Sequence, residues 1–248
     1  MQPLSGQHAE GGIAARVGRG SETVALIHER RVAPSILAAD FARLGSQVDE
    51  VLAAGARVIH VDVMDGHFVP PITFGALIVG ALADQVHGAG GIIDVHLMIE
   101  RPERHVDEFA RAGADNITVH AEATPHLHYA LSQIREAGCT AGAAICPATP
   151  ATCLDEVAGE SLDVALCMSV NPGWGAQKFI PASLDKLSRM RKALPDHVAI
   201  EVDGGIHQDT AGAAAQAGAN LLVAGSAVFT SGDPGVAYTA IAAAAGAA

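Results

Sequence analysis

Acidic and histidine side chains alternate with apolar residues in the segment HVDVMDGHFVP, which begins as a β-strand pattern. His60, Asp62 and Met64 are spaced by two in this segment. Alternate residues of a strand point to the same face, so these three side chains are expected to lie together. Burying an imidazole and a carboxylate is costly unless they are paired. The segment therefore predicts a polar site on one face of a buried strand.

Two other strand-like segments carry the same residue types near their carboxyl ends. His96 lies in GIIDVHLM, and Asp203 ends HVAIEVD. Together with His60 and Asp62 they would give two imidazoles and two carboxylates, a credible ligand set for a divalent metal. Taken singly, each residue would more often be a hydrogen-bonded core residue or a helix cap. The metal hypothesis therefore depends on all four meeting at one place.

Three methionines also fall near the ends of predicted strands, at Met64, Met98 and Met168. Methionine is flexible and polarisable, so one interpretation is ordinary filling of gaps in the core. The other interpretation is a soft apolar cover over a reacting centre. The sequence leaves both open.

The elements that must position these residues alternate along the chain. Short β-branched runs predict eight strands, at 31–37, 57–64, 91–98, 116–122, 140–146, 164–170, 197–203 and 220–226. Amphipathic stretches between them predict helices, and four glycines mark helix C-termini: Gly55, Gly113, Gly138 and Gly218. This alternation predicts an α/β fold with a parallel sheet.

Eight such units predict a (β/α)₈ TIM barrel as a single domain over residues 31–248. An open doubly wound sheet is less favoured, because no G-x-G-x-x-G motif follows the first strand. Residues 1–30 are polar and glycine-rich, which predicts a loosely ordered N-terminal extension. In a barrel of this kind the active site lies at the carboxyl ends of the strands, where the polar residues above are found.

Glycine-rich segments follow three consecutive predicted strands: NPGWGAQ (171–177), DGG (203–205) and AGS (224–226). The loops after strands seven and eight commonly bind phosphate in this fold, through backbone N–H groups. One glycine pair would be weak evidence, since tight turns need glycine anyway. Three on one side predict a phosphate site across the mouth from the metal, with room for a short sugar phosphate between them.

The amino-acid composition of the chain argues against several classes of binding partner and cellular location. The net charge of −12 argues against a nucleic acid, whose phosphates need Lys and Arg. No apolar run approaches the roughly 18 residues of a membrane span or forms the core of a signal peptide. The four cysteines form no C-x-x-C pair, which favours reduced thiols in a cytoplasmic protein.

Longer motifs make the chain resemble the ribulose-phosphate 3-epimerase family. From Ala33 to Phe229 they occur in order: APSILAADF, HVDVMDGHFVP, DVHLMIERPE, VNPGWGAQKFI, IEVDGGI and VAGSAVF. The resemblance implies a metal-dependent isomerase that interconverts D-ribulose 5-phosphate and D-xylulose 5-phosphate by proton transfer at C3 through an enediolate. It implies a place in carbohydrate metabolism such as the pentose phosphate pathway, and self-association into a homo-oligomer.

The resemblance also implies roles for individual residues. Asp62 and Asp203 match the catalytic acid/base pair. His60, Asp62, His96 and Asp203 match the ligands of one divalent ion, for which Zn²⁺, Fe²⁺, Mn²⁺ and Co²⁺ are all suitable. The implied substrate contacts are Ser35, Met64, His96, Met168, Gly173, Trp174, Gly175, Ala176, Gly204, Gly205, Gly225 and Ser226.

The chain departs from the family pattern at a few positions. Trp174 stands where Phe is usual, Ala176 where Gly is common, and Cys146 where Asn is often seen. If position 176 requires a positive φ, alanine strains or reshapes the loop. These departures bear on substrate preference rather than on the four ligand positions.

Three alternatives remain. The nearest is a 3-epimerase for a related ketose phosphate such as allulose 6-phosphate. A metal-dependent sugar-phosphate hydrolase is less favoured, because no second metal set is evident. A non-catalytic binding protein would require a broken acid/base pair, and both aspartates are present.

Overall fold

The computed structural model describes residues 20–247, and eight parallel strands form its centre. The strands are β1 Arg31–Pro34, β2 Val58–Met64, β3 Ile92–Met98, β4 Asn116–His120, β5 Thr140–Ile145, β6 Val164–Met168, β7 Ala199–Asp203 and β8 Leu221–Ala224. They pair in the order β1-β8-β7-β6-β5-β4-β3-β2, and a parallel bridge between Ser35 and His60 closes the ring. The predicted α/β TIM barrel is confirmed.

Helices alternate with the strands around the outside. They are α1 (20–28), α2 Leu44–Ala53, α3 Ala76–Gly88, α4 Val106–Ala112, α5 Leu127–Glu136, α6 Ser183–Ala193, α7 Gln208–Gln216, α8 Ser226–Phe229 and α9 Pro234–Ala245. Between β5 and β6 the chain forms a 3₁₀ helix, Ala151–Leu154. No helix within 20–247 has the length and apolarity needed to cross a bilayer.

The four glycines predicted to end helices all have a positive φ. The angles are 108° at Gly55, 114° at Gly113, 84° at Gly138 and 112° at Gly218. Residues with a side chain reach this region only at a cost, so glycine ends each helix cleanly before the next strand. The prediction from these four positions is confirmed.

Several predicted strands extend too far at their carboxyl ends. The first was expected to reach residue 37, but β1 ends at Pro34. The hydroxyl of Ser35 accepts a hydrogen bond from the backbone N–H of Leu37 and caps a 3₁₀ helix, Ile36–Ala38. Local side-chain bonding of this kind competes with the strand ladder. The strand ends are therefore loop positions, which is where site residues of this fold belong.

The amino ends of the strands are sealed by an apolar cluster that includes α1. Ile27 is fully buried there with Val58, Ile92 and Val164, among other strand residues. The side chain of Asn220 also donates a hydrogen bond to the backbone oxygen of His28. Residues 1–19 of the predicted extension lie outside the described part of the chain. We propose that the packed domain begins near residue 20 rather than at 31.

Candidate active site

Two neighbouring strands place matching pairs of side chains inside the barrel. In the register of β2 and β3, His60 pairs with Asp94, Asp62 with His96, and Met64 with Met98. Residues two apart share a face, so each strand contributes a polar layer below and a methionine above. The predicted spacing by two on β2 thus places its polar side chains in successive layers that face those of β3.

One atom from each of His60, Asp62, His96 and Asp203 lies within 4.8 Å of the corresponding atom of the other three. Asp203 reaches the cluster from β7, across the barrel from β2 and β3. Such a compact set of two nitrogen and two oxygen ligands suits a divalent transition metal. The structure therefore brings together the four residues on which the metal hypothesis depends.

The orientation of His60 fits a metal site. Its Nδ1 lies 2.7 Å from Oδ2 of Asp94, while its buried Nε2 has no hydrogen-bond partner. Burial would lower the pKa of His60, but the carboxylates of Asp62 and Asp94 outweigh it and raise the pKa. The surroundings of this imidazole thus favour positive charge, which a cation at Nε2 would supply.

Asp62 is the most heavily engaged carboxylate of the cluster. The hydroxyl of Ser35 donates to its Oδ2 at 2.6 Å, and Nδ1 of His96 lies 3.1 Å from its Oδ1. Burial would raise the pKa of Asp62, but the positive charge of the neighbouring His60 and the close contacts with both histidines outweigh it. The pKa therefore lies well below its usual range. Asp62 is ionised at neutral pH.

The pKa of Asp203 is shifted in the opposite direction to that of Asp62. Burial raises the pKa of its carboxyl to about 7, and the negative charge of Asp62 adds to this effect. Two carboxylates near each other cannot both ionise freely, so one retains a proton more easily than the other. The surroundings thus make Asp62 the stronger acid of the pair and Asp203 the weaker acid.

A pocket of about 440 Å³ opens above this cluster, at the carboxyl ends of the strands. The predicted substrate contacts that line it are Ser35, Met64, Met168, Gly173, Trp174, Gly175, Ala176, Gly204, Gly205, Gly225 and Ser226. Asp62, Asp203 and Met98 line it as well. His96 is fully buried and is not among the lining residues, so its role as a substrate contact stays a prediction.

The backbone at the two glycines of the DGG segment packs too closely against neighbouring residues to accommodate a side chain. A Cβ added at Gly204 would lie 2.4 Å from Cγ2 of Val170, and one at Gly205 would lie 2.4 Å from the backbone nitrogen of Phe179. Both glycines have a positive φ, 119° and 66° respectively. Glycine therefore lets the backbone after Asp203 turn sharply along the wall of the pocket.

The loop after β6 contains two of the three departures noted in the sequence, Trp174 and Ala176. Ala176 has φ 57°, so this position lies in the left-handed region that glycine adopts most easily. Trp174 is 55% exposed at the pocket edge, and the Gln177 amide donates to the backbone oxygens of Asn171 and Trp174. The loop is thus braced by Gln177 while an alanine occupies a strained conformation.

Sequence reasoning missed several polar residues beneath the cluster. Asp94 accepts a hydrogen bond from the Asn116 amide at 2.6 Å, and Glu201 lies 3.5 Å from Nδ1 of His60. Asp94 is two residues before His96, and Glu201 is two before Asp203. The spacing by two that identified His60 and Asp62 could have found both, because each shares the inward face of its strand.

A second cavity of about 450 Å³ lies at the opposite, amino-terminal end of the barrel. Its lining includes Asp84, His87, Asp115 and Arg135. It contains none of the predicted site residues, and two of its polar side chains contact each other, since Nε2 of His87 lies 2.8 Å from Oδ2 of Asp115. The chemistry expected from the sequence therefore belongs to the pocket at the carboxyl ends.

Fold and site together define a class of protein, a (β/α)₈-barrel enzyme with paired carboxylates at the strand ends. Residues 31–229 match the profile of the family described as "Ribulose-phosphate 3 epimerase family". The chain belongs to the ribulose-phosphate 3-epimerase family. It is therefore an epimerase, an enzyme of the isomerase class.

Curated relatives support the assignment over most of the chain. The ribulose-phosphate 3-epimerase of Bacillus subtilis (strain 168) is 49% identical over 207 residues, covering 82% of this chain and 94% of the relative. The protein of that name from Escherichia coli (strain K12) is 49% identical, covering 82% and 90%. That from Synechocystis sp. is 52% identical, covering 80% and 86%.

Solved structures of low identity share the fold. A 3-hexulose-6-phosphate synthase superimposes with a TM-score of 0.64 at 21% identity, covering 87% of this chain and 99% of that one. Mycobacterium tuberculosis tryptophan synthase gives 0.68 at 16% identity, covering 93% and 98%. At these identities the likeness concerns the barrel alone.

Proposed function

We propose that this chain interconverts D-ribulose 5-phosphate and D-xylulose 5-phosphate by moving a proton at C3. The observation that carries the proposal is the pair of Asp62 and Asp203. They reach one pocket from strands two and seven, and their surroundings push their pKa values in opposite directions. Inverting a carbon needs a base on one face and an acid on the other.

In the proposed reaction the ionised carboxylate removes the C3 proton, and the protonated carboxyl delivers a proton to the opposite face. An enediolate forms between the two transfers. In the reverse direction the two aspartates exchange roles. The hydrogen bond from Ser35 holds Asp62 in place, so its carboxylate is positioned before the substrate arrives.

One divalent ion would be held by His60, Asp62, His96 and Asp203. Two observations support the fit: the ligand atoms of these four residues lie within 4.8 Å of one another, and Nε2 of His60 has no hydrogen-bond partner. When bound, the ion would stabilise the negative charge that develops on the substrate oxygens. Zn²⁺, Fe²⁺, Mn²⁺ and Co²⁺ all suit this donor set.

The remaining pocket residues would bind and enclose the substrate. Backbone N–H groups of the three glycine-rich segments, 171–177, 203–205 and 224–226, are the proposed phosphate site. Met64, Met98 and Met168 are almost fully buried yet line the pocket, which supports a role in excluding water from the reacting carbon.

The test is an NMR time course of the purified protein with ribulose 5-phosphate in D₂O. The expected product is xylulose 5-phosphate with deuterium at C3, and its formation should stop after treatment with a chelator. Release of inorganic phosphate would indicate the hydrolase instead. Turnover of allulose 6-phosphate with an unchanged pentulose would indicate the related epimerase.

We also propose self-association and a cytoplasmic setting in carbohydrate metabolism such as the pentose phosphate pathway. Self-association is supported by exposed apolar residues in one segment, where Ile72 is 79% and Leu77 is 90% exposed. No disulfide joins the cysteines of residues 20–247, which is consistent with a reducing compartment. Sedimentation equilibrium of wild type and Leu77→Glu measures the self-association directly.

A further inference from the structure

We propose that His120 and Glu122 are positioning residues that set the tautomer of His96 and thereby direct its Nδ1 lone pair at the metal site. The inference rests on the proposed metal-dependent function and deepens it. Neither residue reaches the four-ligand cluster. Both act through His96, by a chain of hydrogen bonds that leads away from the pocket.

The chain of hydrogen bonds is continuous. Nε2 of His96 lies 2.9 Å from Nε2 of His120, and Nδ1 of His120 lies 3.1 Å from Oε2 of Glu122. His96 and His120 are fully buried. The ring of Phe68 packs on His120 with centroids 4.7 Å apart, which fixes the imidazole plane. The far nitrogen of His96 thus has one partner, and that partner ends on a carboxylate.

Glu122 can only accept at neutral pH. Its Oε1 accepts hydrogen bonds from the backbone N–H of Cys146, at 2.7 Å, and from the hydroxyl of Thr149. Burial would raise the pKa of Glu122, but hydrogen bonds from His120, Thr149 and Cys146 outweigh it and hold the pKa at about 2. The carboxylate is therefore ionised and fixed at the end of the chain.

The positions of the protons follow from this fixed acceptor. His120 must carry its proton on Nδ1 to donate to Glu122, which leaves Nε2 as an acceptor in the neutral ring. His96 must then carry its proton on Nε2 to donate to His120. Its Nδ1, which lies 3.1 Å from Asp62 Oδ1 and 3.8 Å from Asp203 Oδ2, is left with a lone pair. This is the form that a metal requires of a histidine ligand.

His60, the other proposed histidine ligand, is oriented by a single hydrogen-bond contact with a carboxylate. Nδ1 of His60 faces Asp94 directly, and Nε2 is left for the metal site. His60 thus uses one carboxylate, whereas His96 reaches a carboxylate through a second imidazole. In both ligands, a hydrogen-bond acceptor at the nitrogen facing away from the metal site selects which nitrogen is left for the metal.

A second metal site at His120, Glu122 and Cys146 is the competing interpretation, because their ligand atoms also lie within 4.8 Å of one another. Two observations oppose it. Both oxygens of Glu122 already accept hydrogen bonds. Burial, together with the charge of Glu122, raises the pKa of the Cys146 thiol to about 12, so the thiolate that a metal needs is disfavoured.

The first test uses Co²⁺ alone as the probe on the full chain, stripped with a chelator and reloaded. In Glu122→Gln the amide oxygen can keep the bonds to Cys146 and Thr149, and the amide NH₂ then faces His120. Two donors cannot face each other, so the His120 and His96 tautomers should invert. We expect Co²⁺ affinity to fall about 10- to 100-fold, with an altered visible spectrum of the bound ion.

Thr149→Val is the matched control. It removes a hydrogen bond to Glu122 without reversing the proton order, so Co²⁺ affinity and spectrum should stay near wild type. Equal losses in both variants would indicate a merely structural role and overturn the proposal. So would unchanged binding by Glu122→Gln, or two ions per chain in the wild type. A wild type that binds no Co²⁺ would overturn the proposed metal function as well.

A second test needs no variant and therefore does not depend on folding of Glu122→Gln. Long-range ¹H–¹⁵N correlation spectra of Zn²⁺-loaded protein labelled at histidine report which ring nitrogen carries the proton. The expected result is His120 protonated on Nδ1 and His96 on Nε2. A His120 ring protonated on Nε2 would overturn the inference.

Discussion

Asp62 and Asp203 approach the same atom, Nδ1 of His96, at 3.1 and 3.8 Å, although they stand on the second and seventh strands of the barrel. The barrel closure brings these distant strands to a common axis. Since the two carboxylates share one small, buried region, the negative charge of Asp62 raises the pKa of Asp203. The histidines and Ser35 then stabilise the charge on Asp62 specifically, which produces the unequal pair that the proposed chemistry uses.

Replacing either aspartate by asparagine should abolish inversion at C3. We expect Asp62→Asn and Asp203→Asn each to lose about 100- to 10,000-fold in kcat, because each removes one of two proton carriers. Rates are measured by NMR, and metal content is measured in parallel to separate ligand loss from acid/base loss. Asp84→Asn, at an exposed position on α3, is the control. Full turnover by either active-site variant would refute the two-carboxylate mechanism.

The second glycine of the DGG segment should tolerate no side chain. Gly205→Ala places a methyl against the backbone of Phe179 at a positive φ, so we expect a loss of about 2–4 kcal/mol in unfolding free energy. Urea denaturation measures it. Gly175→Ala is matched, since a Cβ there meets nothing within 4 Å, and it should be close to neutral. Equal stabilities of the two variants would contradict the packing argument.

Ala176 should be more stable as glycine. Alanine at φ 57° costs about 1–2 kcal/mol, while glycine adds about 0.4–1 kcal/mol of unfolded-state entropy. Ala176→Gly is therefore expected to gain up to about 1 kcal/mol by urea denaturation. Ala243→Gly, at an exposed position in α9, should instead lose about 1 kcal/mol. The same sign at both positions would show that the loop is unstrained.

The contribution of Glu122 to stability should depend on pH. Its pKa in the folded protein is about 2, against an ordinary value of 4.5. A lowered carboxyl pKa stabilises the folded state fully above the ordinary pKa, and the effect is lost as pH falls through about 2. The stability gap between wild type and Glu122→Gln should thus narrow on acidification, as measured by urea unfolding at several pH values. Glu50→Gln, at an exposed position on α2, controls for the charge change. A gap that widens in acid would contradict this assignment.

The sequence by itself predicted the barrel, because its signals are local. Periodic apolar runs indicate strands, and glycines with a positive φ end helices at Gly55, Gly113, Gly138 and Gly218. The spacing by two on β2 predicted that His60 and Asp62 share a face, since strand geometry dictates that alternation. The strand ends were predicted less well, as at Ser35, because side-chain caps compete there with the ladder.

Tertiary structure alone decided how closely the polar residues approach one another and how their protons are arranged. The approach of Asp203 to His96, and the link from His96 through His120 to Glu122, depend on closure of the barrel and on the register of neighbouring strands. Such contacts join residues far apart in sequence, so no local pattern encodes their distances. The pKa values of Asp62 and Asp203 differ for the same reason: burial and neighbouring charge are properties of the folded interior.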